Sequence, residues 1–134
     1  MIKKIEHLGI AVKDLESSNQ LFEKLLGVAP YKSEAVEREG VITSFFQVGE
    51  SKIELLAASR SDSPIGKFLE KNKEGIHHIA FDVDDIWEEI NRLKTLDFVL
   101  LSDEPKPGAD GKQIVFLHPK SSNGVLIELC QDKK

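Results

Sequence analysis

The sequence predicts an α+β fold made of two tandem βαβββ modules. The first observation is an internal repeat in which KIEHLGIAVKDL matches KEGIHHIAFDVDDI, so that His7 aligns with His78. The second is a later match between KIELLA and VLIELC, which aligns Glu54 with Glu128. The third is that each opening strand pattern leads directly into an amphipathic helix pattern. A duplicated unit of one strand, one helix and three further strands accounts for all three observations.

The two modules would occupy about residues 1–60 and 74–134. Neither half could bury its sheet alone, so we expect the whole chain, residues 1–134, to form one domain. The strands, read from apolar alternation between turn residues, are predicted at residues 3–12, 34–38, 42–48, 52–57, 76–83, 98–101, 112–118 and 125–130.

Three helices are predicted from their start and stop residues. Asp14 caps the helix of the first module and Gly27 ends it. Asp85 caps the corresponding helix of the second module, while Ser63 and Pro64 open a short helix in the linker. The apolar residues expected to face the core are Leu15, Phe22, Leu25 and Leu26, then Ile65, Phe68 and Leu69, and finally Ile86, Ile90 and Leu93.

Composition limits the classes of partner. The chain has 134 residues, 40% of them hydrophobic and 31% charged, which is typical of a soluble globular protein. A formal net charge of -5 disfavours a general nucleic-acid binder, which must neutralise phosphates. No apolar run approaches the ~20 residues of a membrane span. The single cysteine, Cys130, and an opening segment without targeting character favour a cytoplasmic location.

Strand alternation predicts that four polar side chains project from strand faces that are lined by small residues. Successive side chains point to opposite sides of a strand, which separates His7 and His78 from the large apolar residues beside them. Glu54 and Glu128 are separated from their apolar neighbours in the same way. Isolated strand residues of these types are usually structural, but a buried carboxylate is costly unless it is paired or binds metal. Two imidazoles and two carboxylates at matched positions therefore predict a divalent-metal site.

Four further residues receive other interpretations. His77 points away from His78 and aligns with Glu6, and both are expected at an exposed strand edge. His118 precedes a proline and is expected in a loop. Cys130 is interpreted as a small buried thiol rather than a nucleophile.

At these residues the sequence resembles the vicinal-oxygen-chelate superfamily, which includes glyoxalases, bleomycin-resistance proteins and dioxygenases, over essentially the whole chain. The resemblance implies eight strands that form a half-open barrel around one divalent metal ion, bound by His7, Glu54, His78 and Glu128. Within the superfamily, DSPIGKFLEKNKEGIHHIAFDVDDI, DEPKPGADGKQIVFLHPK and NGVLIEL are similar to the methylmalonyl-CoA epimerases. FLHPK followed by GVLIEL is the most specific of these stretches.

The resemblance implies a metal-dependent isomerase that interconverts (2R)- and (2S)-methylmalonyl-CoA by 1,1-proton transfer through an enolate. Glu128 and Glu54 are the candidate bases, and Glu128 is the preferred one. Related epimerases suggest another glutamate on the third strand, where this chain carries Thr43. The metal, cobalt, manganese, zinc, nickel or magnesium, stays open, and members of the superfamily commonly form homodimers.

The expected partner is an acyl-CoA, with neither nucleic acid nor membrane involved. Lys106, Lys112 and Lys120 flank the loops near the closing strands, where their ammonium groups could meet the phosphates of CoA. The alternative is that they are ordinary surface lysines.

Three other functions fit the same fold. A glyoxalase I-type lactoylglutathione lyase would use the same metal ligands and a similar enediolate. A non-catalytic small-molecule-binding protein of this fold would typically lack those ligands. An iron-dependent extradiol dioxygenase would need two histidines and one carboxylate, but those enzymes are usually longer.

Overall fold

The computed structural model describes residues 1–133 and confirms the α+β class and the duplicated βαβββ order. None of the helices in residues 1–133 is both long enough and apolar enough to cross a membrane. The elements in this range are β1 (Ile2–Ala11), α1 (Leu15–Leu26), β2 (Lys32–Val36), β3 (Val41–Val48), β4 (Ser51–Ala58), α2 (Pro64–Lys71), β5 (Gly75–Val83), α3 (Ile86–Thr95), β6 (Lys106–Pro107), β7 (Lys112–Leu117) and β8 (Ile127–Asp132).

The eight strands are hydrogen-bonded in the order β2-β3-β4-β1-β5-β8-β7-β6. Each module repeats one pairing scheme. Its first strand runs parallel to its last strand, as β1 does to β4 and β5 to β8. Its last two strands are antiparallel neighbours, β3 with β4 and β7 with β8. The repeat in the sequence therefore corresponds to a repeat in strand topology.

The chain divides into two compact units, and the division differs from the repeat at the N-terminus. The first unit is residues 7–77, and the second unit combines residues 1–6 with the chain from His78 onward. Strand β1 therefore contributes its first half to the second unit and its second half to the first unit.

In the first unit, α1 and α2 pack on opposite faces of the strands. Leu15, Phe22 and Leu26 of α1 pack with Phe46 and Leu55, while Ile65 of α2 packs in a separate cluster. The face that carries Phe46 and Leu55 is therefore covered by α1.

The prediction that Leu25 faces the core is wrong, because its side chain is 70% exposed. Leu15, Phe22 and Leu26 form a narrow stripe along α1, and Leu25 lies about 80° around the helix from the centre of that stripe.

In the second unit, α3 buries the apolar face predicted for it. Ile86, Ile90 and Leu93 pack with residues of β5, β7 and β8 in one cluster. The predicted helix caps are also confirmed. The side chains of Asp14, Ser63 and Asp85 each accept a hydrogen bond from the backbone N–H three residues later, at 3.0, 3.1 and 3.1 Å.

The strand predicted at residues 98–101 is wrong. Leu100 makes a single bridge to Leu117, and the strand next to β7 is Lys106–Pro107. Phe98 and Leu100 instead pack against the apolar cluster under α3, which explains their apolar pattern without a strand ladder. The bounds of the other seven strands agree with the predicted ones to within two residues.

Glu89 on α3 is a buried carboxylate that stabilises the second unit through Arg92. Its side chain is 2% exposed, and its Oε1 accepts hydrogen bonds from Arg92 Nε at 3.0 Å and Nη2 at 2.8 Å. These hydrogen bonds hold the pKa of the Glu89 carboxyl below its ordinary value. A lowered pKa in the folded state adds stability above the unfolded-state pKa, and this contribution is lost as the pH falls through the folded-state pKa.

We expect Glu89→Gln to lower the free energy of unfolding at pH 7 by about 2 kcal/mol, the scale of hydrogen bonds to a charged group. The difference from wild type should shrink as the pH falls below 4.5, the ordinary pKa of this group. Urea unfolding at pH 7 and at pH 3 measures both values. Glu23→Gln, at an exposed position of α1, is the control and should change stability little. An equal loss at both pH values would contradict this account.

Candidate metal centre

The first unit contains one buried histidine–glutamate pair. His7 lies on β1 and Glu54 on the adjacent β4, where the strand register places Glu54 opposite Gly9. His7 Nδ1 lies 3.0 Å from Glu54 Oε2, and both side chains are buried. Both residues project from the face of the strands that α1 leaves uncovered, as the strand alternation predicted.

The second unit contains the equivalent pair. His78 on β5 has its Nε2 3.3 Å from Oε1 of Glu128 on β8, and both side chains are again buried. Glu128 stands opposite Ala80 in the register. In both units the glutamate is therefore paired with the small residue two positions after the histidine. The repeated sequence produces the same local arrangement twice.

A phenylalanine stands on the other side of each glutamate. Phe45 of β3 is the register partner of Glu54, and Phe116 of β7 is the partner of Glu128. The His78 ring meets the Phe116 ring edge-on, with centroids 5.8 Å apart. Sequence reasoning did not identify these aromatic walls, although the two phenylalanines have the same spacing in the repeat as the two histidines.

In each pair, the distance between the two donor atoms suits two ligands of the same metal ion. Two donors at about 2.1 Å from one ion lie about 3.0 Å apart at an octahedral angle and about 3.4 Å apart at a tetrahedral angle. The measured separations of 3.0 Å and 3.3 Å fall in this range. Each pair offers one imidazole nitrogen and one carboxylate oxygen, a donor set that suits a divalent cation.

Two residues expected at exposed strand edges are placed differently. His77 is half-buried, with its ring edge-on to Phe68 of α2 at 5.0 Å between centroids. Glu6 is 3% exposed, so its predicted exposure is wrong. The physical reason is an ion pair, since Glu6 Oε2 lies 3.8 Å from the ammonium of Lys112, which also lies 2.6 Å from Asp132 Oδ1.

The three lysines considered for CoA binding have different surroundings. Lys112 is buried in the ion pair with Glu6, whereas Lys106 and Lys120 are exposed. Lys120 lies in a short turn that follows β7. The turn is capped by His118, whose Nδ1 accepts a hydrogen bond from the Lys120 backbone N–H at 3.1 Å, so the loop position predicted for His118 is confirmed.

Cys130 is a buried thiol on β8, as expected from the sequence. Its Sγ lies 3.5 Å from the Phe81 carbonyl oxygen. Burial raises the pKa of the Cys130 thiol, and the negative charge of Glu128 raises it further. A thiol held in its neutral form is a poor nucleophile, so Cys130 has a packing role.

Comparison with known proteins identifies relatives along nearly the whole chain. Residues 6–116 match the Glyoxalase/Bleomycin resistance protein/Dioxygenase superfamily. The chain is 44% identical to the ethylmalonyl-CoA/methylmalonyl-CoA epimerase of Cereibacter sphaeroides, over 98% of this chain and 99% of that protein. It is 42% identical to the mitochondrial methylmalonyl-CoA epimerase of Mus musculus, over 96% of this chain and 72% of that protein.

A solved structure gives the same result. A variant of the Streptomyces coelicolor methylmalonyl-CoA epimerase, in complex with 2-nitronate-propionyl-CoA, superposes with a TM-score of 0.94 at 36% identity. The match covers 98% of this chain and 96% of that one. These relatives are isomerases of the racemase and epimerase class, and the predicted resemblance is confirmed. The chain belongs to the glyoxalase/bleomycin resistance protein/dioxygenase superfamily and, within it, to the methylmalonyl-CoA epimerase family.

Proposed function

We propose that this protein interconverts (2R)- and (2S)-methylmalonyl-CoA by 1,1-proton transfer through an enolate. The observation that carries the proposal is the duplicated, buried histidine–glutamate pair in a chain related to epimerases along almost its entire length. Further support comes from the complex of the Streptomyces coelicolor relative, because a nitronate is a planar anion that resembles an enolate.

One divalent ion per chain would be held by His7, Glu54, His78 and Glu128. When bound, it supplies a Lewis acid that stabilises negative charge developing on the thioester oxygen. Imidazole ligands favour cobalt, nickel or zinc, while carboxylates also accept manganese and magnesium.

The chain itself supplies the proton transfer. The C2 proton of the substrate is acidic because it lies between a thioester carbonyl and a carboxylate. Glu128 is the proposed base. It takes this proton while the electron pair of the C–H bond moves into the thioester carbonyl. Return of a proton to the opposite face of the planar intermediate produces the other epimer. Phe116 beside Glu128 keeps the surroundings apolar, which strengthens charge interactions during the step.

Substrate binding requires recognition of the CoA phosphates as well as the acyl group. Lys106 and Lys120 are the more accessible of the three lysines proposed for this role, because Lys112 already contacts Glu6 and Asp132. We also propose a homodimer, as the resemblance implies.

The test is a solvent-exchange experiment. In deuterated water, the protein should incorporate deuterium at C2 of (2S)- or (2R)-methylmalonyl-CoA as the other epimer appears, because a carboxylate exchanges its proton with solvent between removal and return. The hemithioacetal of methylglyoxal and glutathione should be turned over poorly. Mass spectrometry and an epimer-selective assay measure both. Rapid turnover of the hemithioacetal without label in the acyl-CoA would identify a glyoxalase instead.

A further inference from the structure

Inversion at a carbon requires proton transfer at both faces of the planar intermediate, with a side chain or a water molecule acting at each face. Glu128 is proposed for one face. The second group must lose and regain a proton near neutral pH, which the hydroxyl of the buried Thr43 does not do. The choice therefore falls on carboxylates that share a face with the metal-binding residues of the first unit.

The strand register assigns two carboxylates to that face in the described strands of the first unit. Glu54 is one, and its register partner is Phe45. Glu34 of β2 is the other, because it is the register partner of Thr43, which lies two residues before Phe45 on β3. Cross-strand partners, and residues two apart on a strand, project to the same side of a sheet. Glu34 therefore projects to the same side as Glu54.

The separation between these two glutamates leaves room for a substrate. Glu34 and Glu54 are two strands and two residues apart, so strand spacings of ~4.8 Å and a rise of ~3.4 Å place their Cα atoms roughly 12 Å apart. Their side chains extend from the same face of the sheet. A small acyl group positioned near Glu54 is therefore within reach of a second carboxylate at Glu34.

Lys32 lies on the same side of β2 as Glu34, because the two residues are two positions apart. The ammonium of Lys32 lies 3.5 Å from Glu34 Oε1 and 5.2 Å from the centre of the Phe45 ring. The Glu34 side chain is 35% exposed, so solvent can exchange its proton. Glu54, by contrast, is 7% exposed and lies 3.0 Å from His7, so Glu34 is the more solvent-accessible of the two carboxylates.

We propose that Glu34 is the second proton-transfer residue, an inference that rests on the proposed epimerase function. In one direction, the Glu34 carboxylate takes the C2 proton and becomes a carboxylic acid, while the C–H electron pair moves to the thioester oxygen. Protonated Glu128 then gives its proton to the other face of C2, and the electron pair returns to form the new C–H bond. Proton exchange with solvent restores both residues. The reverse reaction exchanges their roles.

The decisive variant is Glu34→Gln, which removes the acid with little change in shape. Interconversion of the epimers should fall at least ~100-fold, the low end for loss of a general acid–base residue. One epimer, whose C2 proton faces Glu128, should still exchange that proton for deuterium without inversion. The metal content and the thermal unfolding midpoint should match wild type. Glu37→Gln, at an exposed position just after β2, is the matched control and should epimerise normally.

Different results would contradict the assignment of Glu34 and the proposed function. Epimerisation by Glu34→Gln near the wild-type rate, or equal loss of deuterium exchange from both epimers, would overturn the assignment. Glu34→Asp, which keeps the acid one methylene shorter, should retain more activity than Glu34→Gln. If wild-type protein labels neither epimer while Glu34→Gln is folded and metal-loaded, the proposed function itself is refuted and this inference with it.

Discussion

Replacing His78 with alanine is expected to remove the bound metal, whereas replacing His77 should leave it in place. The two histidines are adjacent but project to opposite sides of β5. His78 lies 3.3 Å from Glu128, and His77 packs against Phe68. Loss of a direct ligand should weaken metal binding by more than the ~10–100-fold typical of outer contacts.

Elemental analysis after gel filtration measures the effect. Wild type and His77→Ala should retain close to one divalent ion per chain, and His78→Ala should retain almost none. His7→Ala should behave like His78→Ala, because the repeat gives both histidines the same relation to a glutamate. Equal metal content in His77→Ala and His78→Ala would disprove the proposed ligand set.

The second large effect is expected from Glu128→Gln. The amide is nearly isosteric with the carboxylate, so the fold should be kept. Turnover of methylmalonyl-CoA should fall at least ~100-fold, because an amide cannot accept the C2 proton. Rate and metal content are measured on the same sample, since Glu128 is also a proposed ligand.

The control for this variant is Glu104→Gln, at an exposed position before β6, which should retain wild-type turnover. A Glu128→Gln protein that turns over normally with metal bound would show that Glu128 is neither base nor essential ligand.

Much of the fold follows from the sequence because the repeat gives both modules the same pattern of strands and helix. Asp14 and Asp85 each accept a hydrogen bond from a backbone N–H only three residues later, at the start of a helix. Such caps can therefore be identified from the local sequence. The sequence of residues 98–101 predicts a strand that does not form, because Phe98 and Leu100 are apolar for another reason. They fill the space beneath α3, and an irregular segment performs that task as well as a strand.

The site was predictable only in part. Strand alternation placed His7 with Glu54 and His78 with Glu128, because each side chain's direction depends on its own strand. The partners across the sheet depend on register, which the local pattern does not contain. Only the structure shows which residues stand across the sheet from one another. These are Phe45 and Phe116 beside the glutamates and Glu34 beside Thr43. It also shows that Glu6 is buried and paired with Lys112.

The assignment of the first six residues to the second unit has a consequence for the order in which the nascent chain can fold. The contacts of these residues within that unit include Lys3 with Asp82 and Glu6 with Lys112. Synthesis runs from the amino to the carboxyl end, so Glu6 meets Lys112 only after more than a hundred further residues have been added. The segment 7–77 can collapse earlier, because its partners are already synthesised. Residues 1–6 are therefore made before the segment 7–77 but reach these contacts after it, and β1 is complete only once Lys112 has been made.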